Sequence, residues 1–400
     1  MSYPTIVYYS IGLFMAPLTD EFGWNRTQIS LGASISSLIL VPISPFVGAA
    51  IDRWGVRRLA LPGVMLTATA MSSFALANGS PEQWAMLWAV FAICTAFLKA
   101  TVWTAAVSSR FTASRSMALA VVLCGASISA VLVPPLTRWL IADFGWRTAY
   151  VALAVGWGLP VFVMCLLFLF DVHDDHRRSS KTSARRAAPT LCGLSTREAL
   201  RSLAIFRIGL ATLITLLLTA SLVVHQVPLL IDAGFTRTDA AYLASLSGIA
   251  SVAGSLISGW LMDRFEAGVV GVITNIAAAA ALVLLLEPFR TPGLIVFAMI
   301  VIGYSGGTKL QLCGYLTSVY GGMRNYGKIF GVMGSIIAVT SAIGPMLGGL
   351  IYDRTGSYSL LIILAIPGSL LSAALLFRLG PYPVWAMRKT ALPAGDIETR

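Results

Sequence analysis

Long apolar runs alternate with short polar stretches along the whole chain. The runs fall at 3–19, 29–51, 59–78, 83–108, 116–141, 147–170, 204–231, 240–262, 269–287, 292–319, 329–351 and 359–380. A membrane-crossing helix needs about 20 mostly apolar residues, with about 17 as its lower limit, and these runs meet that length. None shows the period-2 alternation of a lipid-facing barrel strand, so the runs predict helices. Six precede and six follow a polar, Arg-rich stretch at 171–203. The pattern predicts an all-α membrane protein of twelve transmembrane helices in two six-helix bundles. The expected bundles are 1–170 and 204–380, joined by a cytoplasmic linker loop at 171–203 and followed by a cytoplasmic tail at 381–400.

The two halves are related in sequence. Pro17, Gly23, Gly48, Asp52, Arg53, Pro134 and Gly145 recur 211 residues later as Pro228, Gly234, Gly259, Asp263, Arg264, Pro345 and Gly356. A register kept over so long a span marks two homologous structural units. In an apolar chain, such duplication suits a carrier that rocks one half against the other.

Composition agrees: 57% of residues are hydrophobic and 11% charged, against about a quarter charged in soluble domains. The net charge of +11 raises the question of nucleic acid, and placement answers it. Sorting loops by side puts twenty basic residues on the side of both termini and the 171–203 loop and six on the other, leaving Lys99 and Lys309 within helices. Basic residues collect on the cytoplasmic side, so the charge reads as orientation in a cytoplasmic membrane. No cleavable signal peptide is evident, since the first run lacks a basic start and leads into Asp20 and Glu21. That run is short and no cytoplasmic tail precedes it, so the start reads as truncated. Five cysteines scattered singly predict packing residues rather than a disulfide framework. No cofactor, metal or protein partner is expected beyond the bilayer and a small-molecule substrate, and the chain is expected to be a monomer. His173-Asp174-Asp175-His176 contains metal-ligand types, with a solvated loop as the alternative.

The strongest local motif is Gly48-Ala-Ala-Ile-Asp52-Arg53-Trp-Gly55-Val-Arg57-Arg58, between the second and third runs. Gly48 lies one turn before Asp52, where it allows close helix approach. Asp52 at the membrane edge can face either a helix N-terminus or an arginine. Gly55 gives a tight turn, and the arginines suit an anionic leaflet. The second half keeps Gly259, Asp263 and Arg264 but not the later basic pair.

With this motif the chain resembles the major facilitator superfamily over its whole length. PLTDEFGWNRTQIS after the first helix, SMALAVVLCGASISAVLVPPL in the fifth and YGKIFGVMGSI opening the eleventh are similar to its monocarboxylate and oxalate/formate branch. The resemblance implies alternating access with helices 1, 4, 7 and 10 lining a central cavity. It also implies a gating role for Gly48, Asp52, Arg53, Gly55, Arg57 and Arg58. The chain departs from the branch in lacking a basic residue in 240–262 and 329–351, where members carry an arginine or a lysine for the carboxylate.

Lys99 and Lys309 interrupt the fourth and tenth runs near mid-depth. At about 1.5 Å per residue, Lys99 is roughly 24 and 16 Å from the two edges of its run, beyond the reach of snorkelling. A charge at that depth costs a few kcal/mol or more and is a functional candidate. All seventeen acidic residues fall at the membrane edges or beyond, so two cations without an acid predict an anion site, most simply for a carboxylate. The same absence favours exchange or facilitated diffusion over proton coupling through a carboxylate. The alternative leaves the lysines structural in a carrier of neutral or cationic solutes or drugs. His225, four residues after Ser221, is either a cavity group or a hydrogen-bonded histidine near the outer helix end. Gln226 and Gln311 are further polar candidates; Tyr8, Tyr9, Trp103, Tyr304 and Tyr315 are the aromatic ones, with packing as their alternative. Gly303-Tyr304-Ser305-Gly306-Gly307 matches a nucleophile motif, but it sits inside an apolar run where glycine serves packing. The chain is therefore expected not to be an enzyme, an intramembrane serine hydrolase using Ser305 being the remote alternative.

Overall fold

The polar punctuation becomes helix ends. In the computed structural model, which describes residues 3–24, 26–111, 114–169 and 192–383, thirteen α-helices account for most of those residues. They are α1 (Ile6–Phe22), α2 (Arg26–Trp54), α3 (Val56–Ser72), α4 (Pro81–Ala96), α5 (Ala100–Arg110), α6 (Arg115–Phe168), α7 (Thr196–Arg201), α8 (Leu203–Asp232), α9 (Arg237–Arg264), α10 (Ala267–Val283), α11 (Pro292–Gly321), α12 (Tyr326–Thr355) and α13 (Ser359–Leu376). Ser80 caps α4 through a hydrogen bond from Gln83 N–H at 3.3 Å, with Pro81 at the first helical position. Thr236 caps α9 in the same way, accepting from Asp239 N–H at 3.1 Å.

Among the described residues, nine stretches are long and apolar enough to cross a membrane. One of them, α6, folds back at Gly145, whose φ of 78° and ψ of 162° are closed to other residues at little cost. It therefore makes two crossings. With α1 and α10, at 17 residues each, the crossings among the described residues number twelve. The fourth run is broken: α4 ends at Ala96, α5 starts at Ala100, and Lys99 between them is extended with ψ 170°.

Helix boundaries keep the register of 211. Val56 and Ala267 open α3 and α10, Ser72 and Val283 close them, and Arg115 and Tyr326 open α6 and α12. Gly356, the counterpart of Gly145, ends α12 in the left-handed region at φ 69°. The result is two pseudo-symmetric six-helix bundles, α1–α6 and α8–α13. They meet where α2 packs along α12 and α6 along α9.

Side chains are sorted as lipid requires. Leu66, Met86, Leu159, Ile273 and Leu371 are exposed, while Thr104, Thr308 and Gln311 are fully buried. The interior of the first bundle is aromatic, with Phe74 5.3 Å from Trp84 and Tyr150 and 5.1 Å from Trp88, ring centre to ring centre. At the end opposite the Asp52 loop, Glu21 meets Arg147 at 2.6 Å and accepts from Trp146 Nε1 at 2.7 Å.

The linker re-enters at Cys192. Gly193 forms an isolated bridge with Gly322, Leu194 N–H donates to Gly321 O at 2.9 Å and Met323 N–H to Cys192 O at 3.0 Å. Asn325 Nδ2 adds a bond to Leu194 O at 2.9 Å. A capping box between Ser195 and Glu198 then starts α7. The Ser195 amide, and after it the Ser195 hydroxyl, hold the Glu198 carboxyl below its usual pKa. The His173–His176 cluster, most linker arginines and residues 384–400 of the tail lie outside the described residues.

Candidate functional site

The ends bearing the Asp52 and Asp263 loops are called the basic end here. The first amides of a helix have no intrahelical partner and carry the positive end of its dipole. Asp52, at the end of α2, accepts from Gly327 N–H at 2.8 Å and Lys328 N–H at 2.9 Å, in the first turn of α12. Asp263, at the end of α9, accepts from Ser116 N–H and Met117 N–H, both at 2.9 Å, in the first turn of α6. Each carboxylate belongs to one bundle and each helix start to the other. The recipients, Ser116 and Met117 against Gly327 and Lys328, are again 211 residues apart. Of the two surroundings open to Asp52 from sequence, the structure selects the helix N-terminus.

Close approach makes this geometry available. A Cβ on Gly48 would collide with the backbone carbonyl of Gly327, and one on Gly259 would lie 2.8 Å from Ala120 Cβ and 3.2 Å from Met117 Cα. Around the Asp263 pair, Gln311 Nε2 donates to Ser116 O at 3.1 Å and Arg115 Nη1 to Ser318 Oγ at 3.2 Å. Gln311 therefore serves the seam between bundles. Ser335 Oγ donates across the other seam to Val41 O at 2.6 Å. The remaining motif residues stay within their own bundles. Arg57 Nη2 donates to Leu166 O at 2.8 Å, Arg53 lies over the Trp54 ring and Arg264 over Trp260, Arg58 is exposed, and Gly55 opens α3 with φ 85°.

At mid-depth, Lys99 Nζ lies 5.1 Å over the Tyr8 ring, and Tyr8 is held by its hydroxyl donating to Ser36 Oγ at 3.1 Å. Trp103 Nε1 donates to Leu98 O at 2.8 Å, capping a carbonyl freed where the helix breaks. Lys309, on unbroken α11, donates to Thr219 Oγ1 on α8 at 2.6 Å. Beside it is a cavity of about 20 Å³ lined by Thr212, Thr215, Asn275 and Cys313, room for one water. Asn275 Oδ1 is buried there without a partner. Among the described residues neither lysine pairs with a carboxylate. Each turns toward a helix of its own bundle, so the two are not brought into contact. Tyr9 is partly exposed on α1, and Tyr304 accepts from Ser258 Oγ at 3.2 Å on α9.

His225 lies away from these groups. Its Nε2 is 2.9 Å from Pro345 O, which can only accept, so Nε2 donates there, and Nδ1 lies 3.2 Å from the Tyr358 hydroxyl. The ring fills the space over Gly348, where a Cβ would strike it. Ser221, one turn earlier, donates to Gly344 O at 2.5 Å, so this face of α8 docks on α12. Gln226 Nε2 donates to Ser247 Oγ at 2.8 Å. Ser305 is buried within unbroken α11, its hydroxyl without a partner. It has neither the sharp turn nor the base of a nucleophile. Among the described residues no group of three or more metal-ligating side chains is assembled.

Residues 5–308 and 208–391 match the sequence model described as Major Facilitator Superfamily. The chain is 26% identical over 381 residues to monocarboxylate transporter 13 of Bos taurus, covering 90% of this chain and 82% of that one. It is 24% identical over 297 residues to monocarboxylate transporter 12 of Mus musculus, covering 68% of this chain and 61% of that longer one. The solved structure of the E. coli fucose:proton symporter FucP is similar in fold, with a TM-score of 0.70 at 15% identity over 95% of this chain and 96% of that one.

Proposed function

This chain belongs to the major facilitator superfamily, and from that premise we propose that it carries a small organic anion, a carboxylate, across the cytoplasmic membrane. As a member it is a multi-pass membrane transporter for a small molecule and not an enzyme. The observation that carries the anion reading is the pair of mid-depth lysines. Lys99 rests on an aromatic face and Lys309 on a hydroxyl, so among the described residues neither ammonium is neutralised. A bound carboxylate supplies the missing charge. The names of the two monocarboxylate relatives support the same substrate class.

In this reading the basic end is cytoplasmic, with both termini on that side, and the protein works as a monomer. Bundles 1–170 and 204–380 rock about the substrate, and the Asp52 and Asp263 pairs hold the cytoplasmic end shut. Anion exchange is the proposed mode, because the acids lie at the membrane edges. A second reading, with a neutral or cationic substrate and structural lysines, draws on the direct bond of Lys309 to Thr219.

Counterflow of labelled mono- and dicarboxylates into proteoliposomes separates the two. Lys309→Gln is expected to lower anion uptake at least tenfold, as loss of one partly desolvated charge-assisted bond of about 1.5–3 kcal/mol requires. Lys99→Gln is expected to act in the same direction, both at unchanged melting temperature. Full anion transport by the double variant would overturn the anion site.

A further inference from the structure

The two bundles differ on the basic end where α3 and α10 begin. In the first, Arg57 on α3 reaches across to Leu166 O near the end of the sixth crossing. At the same register in the second bundle stand Gly268 and Phe377. Gly268 has no side chain to send, and the Phe377 carbonyl is taken instead by Arg207 from α8, at 2.5 Å. A cavity of about 300 Å³ is left between the start of α10 and the end of α13.

Glu266, the N-cap of α10, and Arg378, just past α13, both line that cavity. Among the described residues neither side chain makes a hydrogen bond or an ion pair; the Arg378 guanidinium lies only over the Phe377 ring, at 5.2 Å. Arg378 has φ 52°, a costly conformation for a residue with a side chain. Arg207 Nη1 fixes it by donating to Arg378 O at 3.1 Å. Their counterparts in the first bundle are Gly55 and Leu167, so the pair of charges is peculiar to the second. Val269 and Phe377, exposed beside the cavity, continue it as an apolar flank along the crossing helices.

We infer that this cavity binds the headgroup of a zwitterionic phospholipid of the phosphoethanolamine class, phosphate at Arg378 and ammonium at Glu266, with acyl chains along the Val269–Phe377 flank. Opposite charges that line one space without meeting leave room for a ligand carrying both. An anionic phospholipid without an amine satisfies Arg378 but leaves Glu266 repelled. A phosphocholine headgroup brings a cation that cannot donate a hydrogen bond to the carboxylate. A free headgroup lacks the chains that the apolar flank accepts.

Native mass spectrometry of the detergent-purified protein tests this with phosphatidylethanolamine, phosphatidylcholine and phosphatidylglycerol of identical chains, and with soluble phosphoethanolamine. Phosphatidylethanolamine is expected to be retained about fivefold over phosphatidylglycerol, the scale of one favourable exposed ion pair. Glu266→Gln is expected to level the two, and Arg378→Gln to lower retention of all three lipids. Gly268→Arg, which rebuilds the arrangement of the first bundle, is expected to empty the site. Equal retention of phosphatidylethanolamine and phosphatidylglycerol by the unaltered protein would overturn the inference. So would a preference that survives Gly268→Arg, or equal binding of soluble phosphoethanolamine. If Gly268→Arg does not fold, the exposed Glu266→Gln decides by the same comparison.

Discussion

Asp52 and Asp263 show how one side chain type can be legible while its partner is not. A lone carboxylate at a membrane edge, one turn after a glycine, announces itself in the sequence. The recipients do not, because the amides of Ser116, Met117, Gly327 and Lys328 are backbone groups that any residue carries. Only their spacing of 211 could have pointed to them. An N-capping carboxylate contributes about 1 kcal/mol. Asp52→Asn and Asp263→Asn are each expected to weaken closure of the basic end by about that much, and the double variant by about twice it. Spin labels at positions 54 and 324 report the result as a growing long-distance population. An unchanged distance distribution in the double variant would show that the carboxylates do not hold the seam. Gln311 carries the converse lesson: a buried amide on a crossing helix reads as a substrate contact, and here it bonds Ser116 across the seam.

At the level of elements, the break between α4 and α5 was invisible beforehand. Thr95-Ala96-Phe97-Leu98-Lys99-Ala100 contains neither glycine nor proline, so neither of the residues that ordinarily interrupt a helix marks the spot. The bond from Trp103 to Leu98 O helps to hold the break open, a contact that neither the pocket reading nor the packing reading of that tryptophan contained. The matching tenth crossing runs unbroken through Lys309, so the two lysines are presented differently although they occupy nearly equivalent positions. His225 joins elements, tying α8 to Pro345 of α12 and to Tyr358 before α13. His225→Phe, which installs the residue found at the equivalent Phe14, is expected to cost about 2 kcal/mol through two lost hydrogen bonds. The measurement is a lowered melting temperature with transport retained. Lost transport at an unchanged melting temperature would instead make His225 a working group of the cavity.

Across the whole molecule, the duplication was the most readable property of the chain, and it proved to extend to helix boundaries and to hydrogen-bond partners. The bundles nevertheless fasten their far ends by different chemistry. Arg147 closes the first onto Glu21, and Tyr358, at the same register, closes the second onto His225. Such divergence cannot be read from one sequence, because it depends on which side chains the fold brings opposite each other. The cross-bundle hydrogen bonds described here run from the basic end to about mid-depth. They hold the basic ends of the two bundles together.

The pairing of Gly193 with Gly322 fixes the far end of the linker to the second bundle, so only the 22 residues from 170 to 191 connect the halves. Fully extended, they could reach about 75 Å, more than any rocking motion requires. A connection of that reach is expected to act through effective concentration, keeping the two bundles near each other. A chain cut between residues 180 and 181 and expressed as two polypeptides is expected to reassemble and co-purify. The spacing of labels at positions 54 and 324 should match that of the intact protein. If the pieces fail to associate, the connection guides assembly as well as proximity.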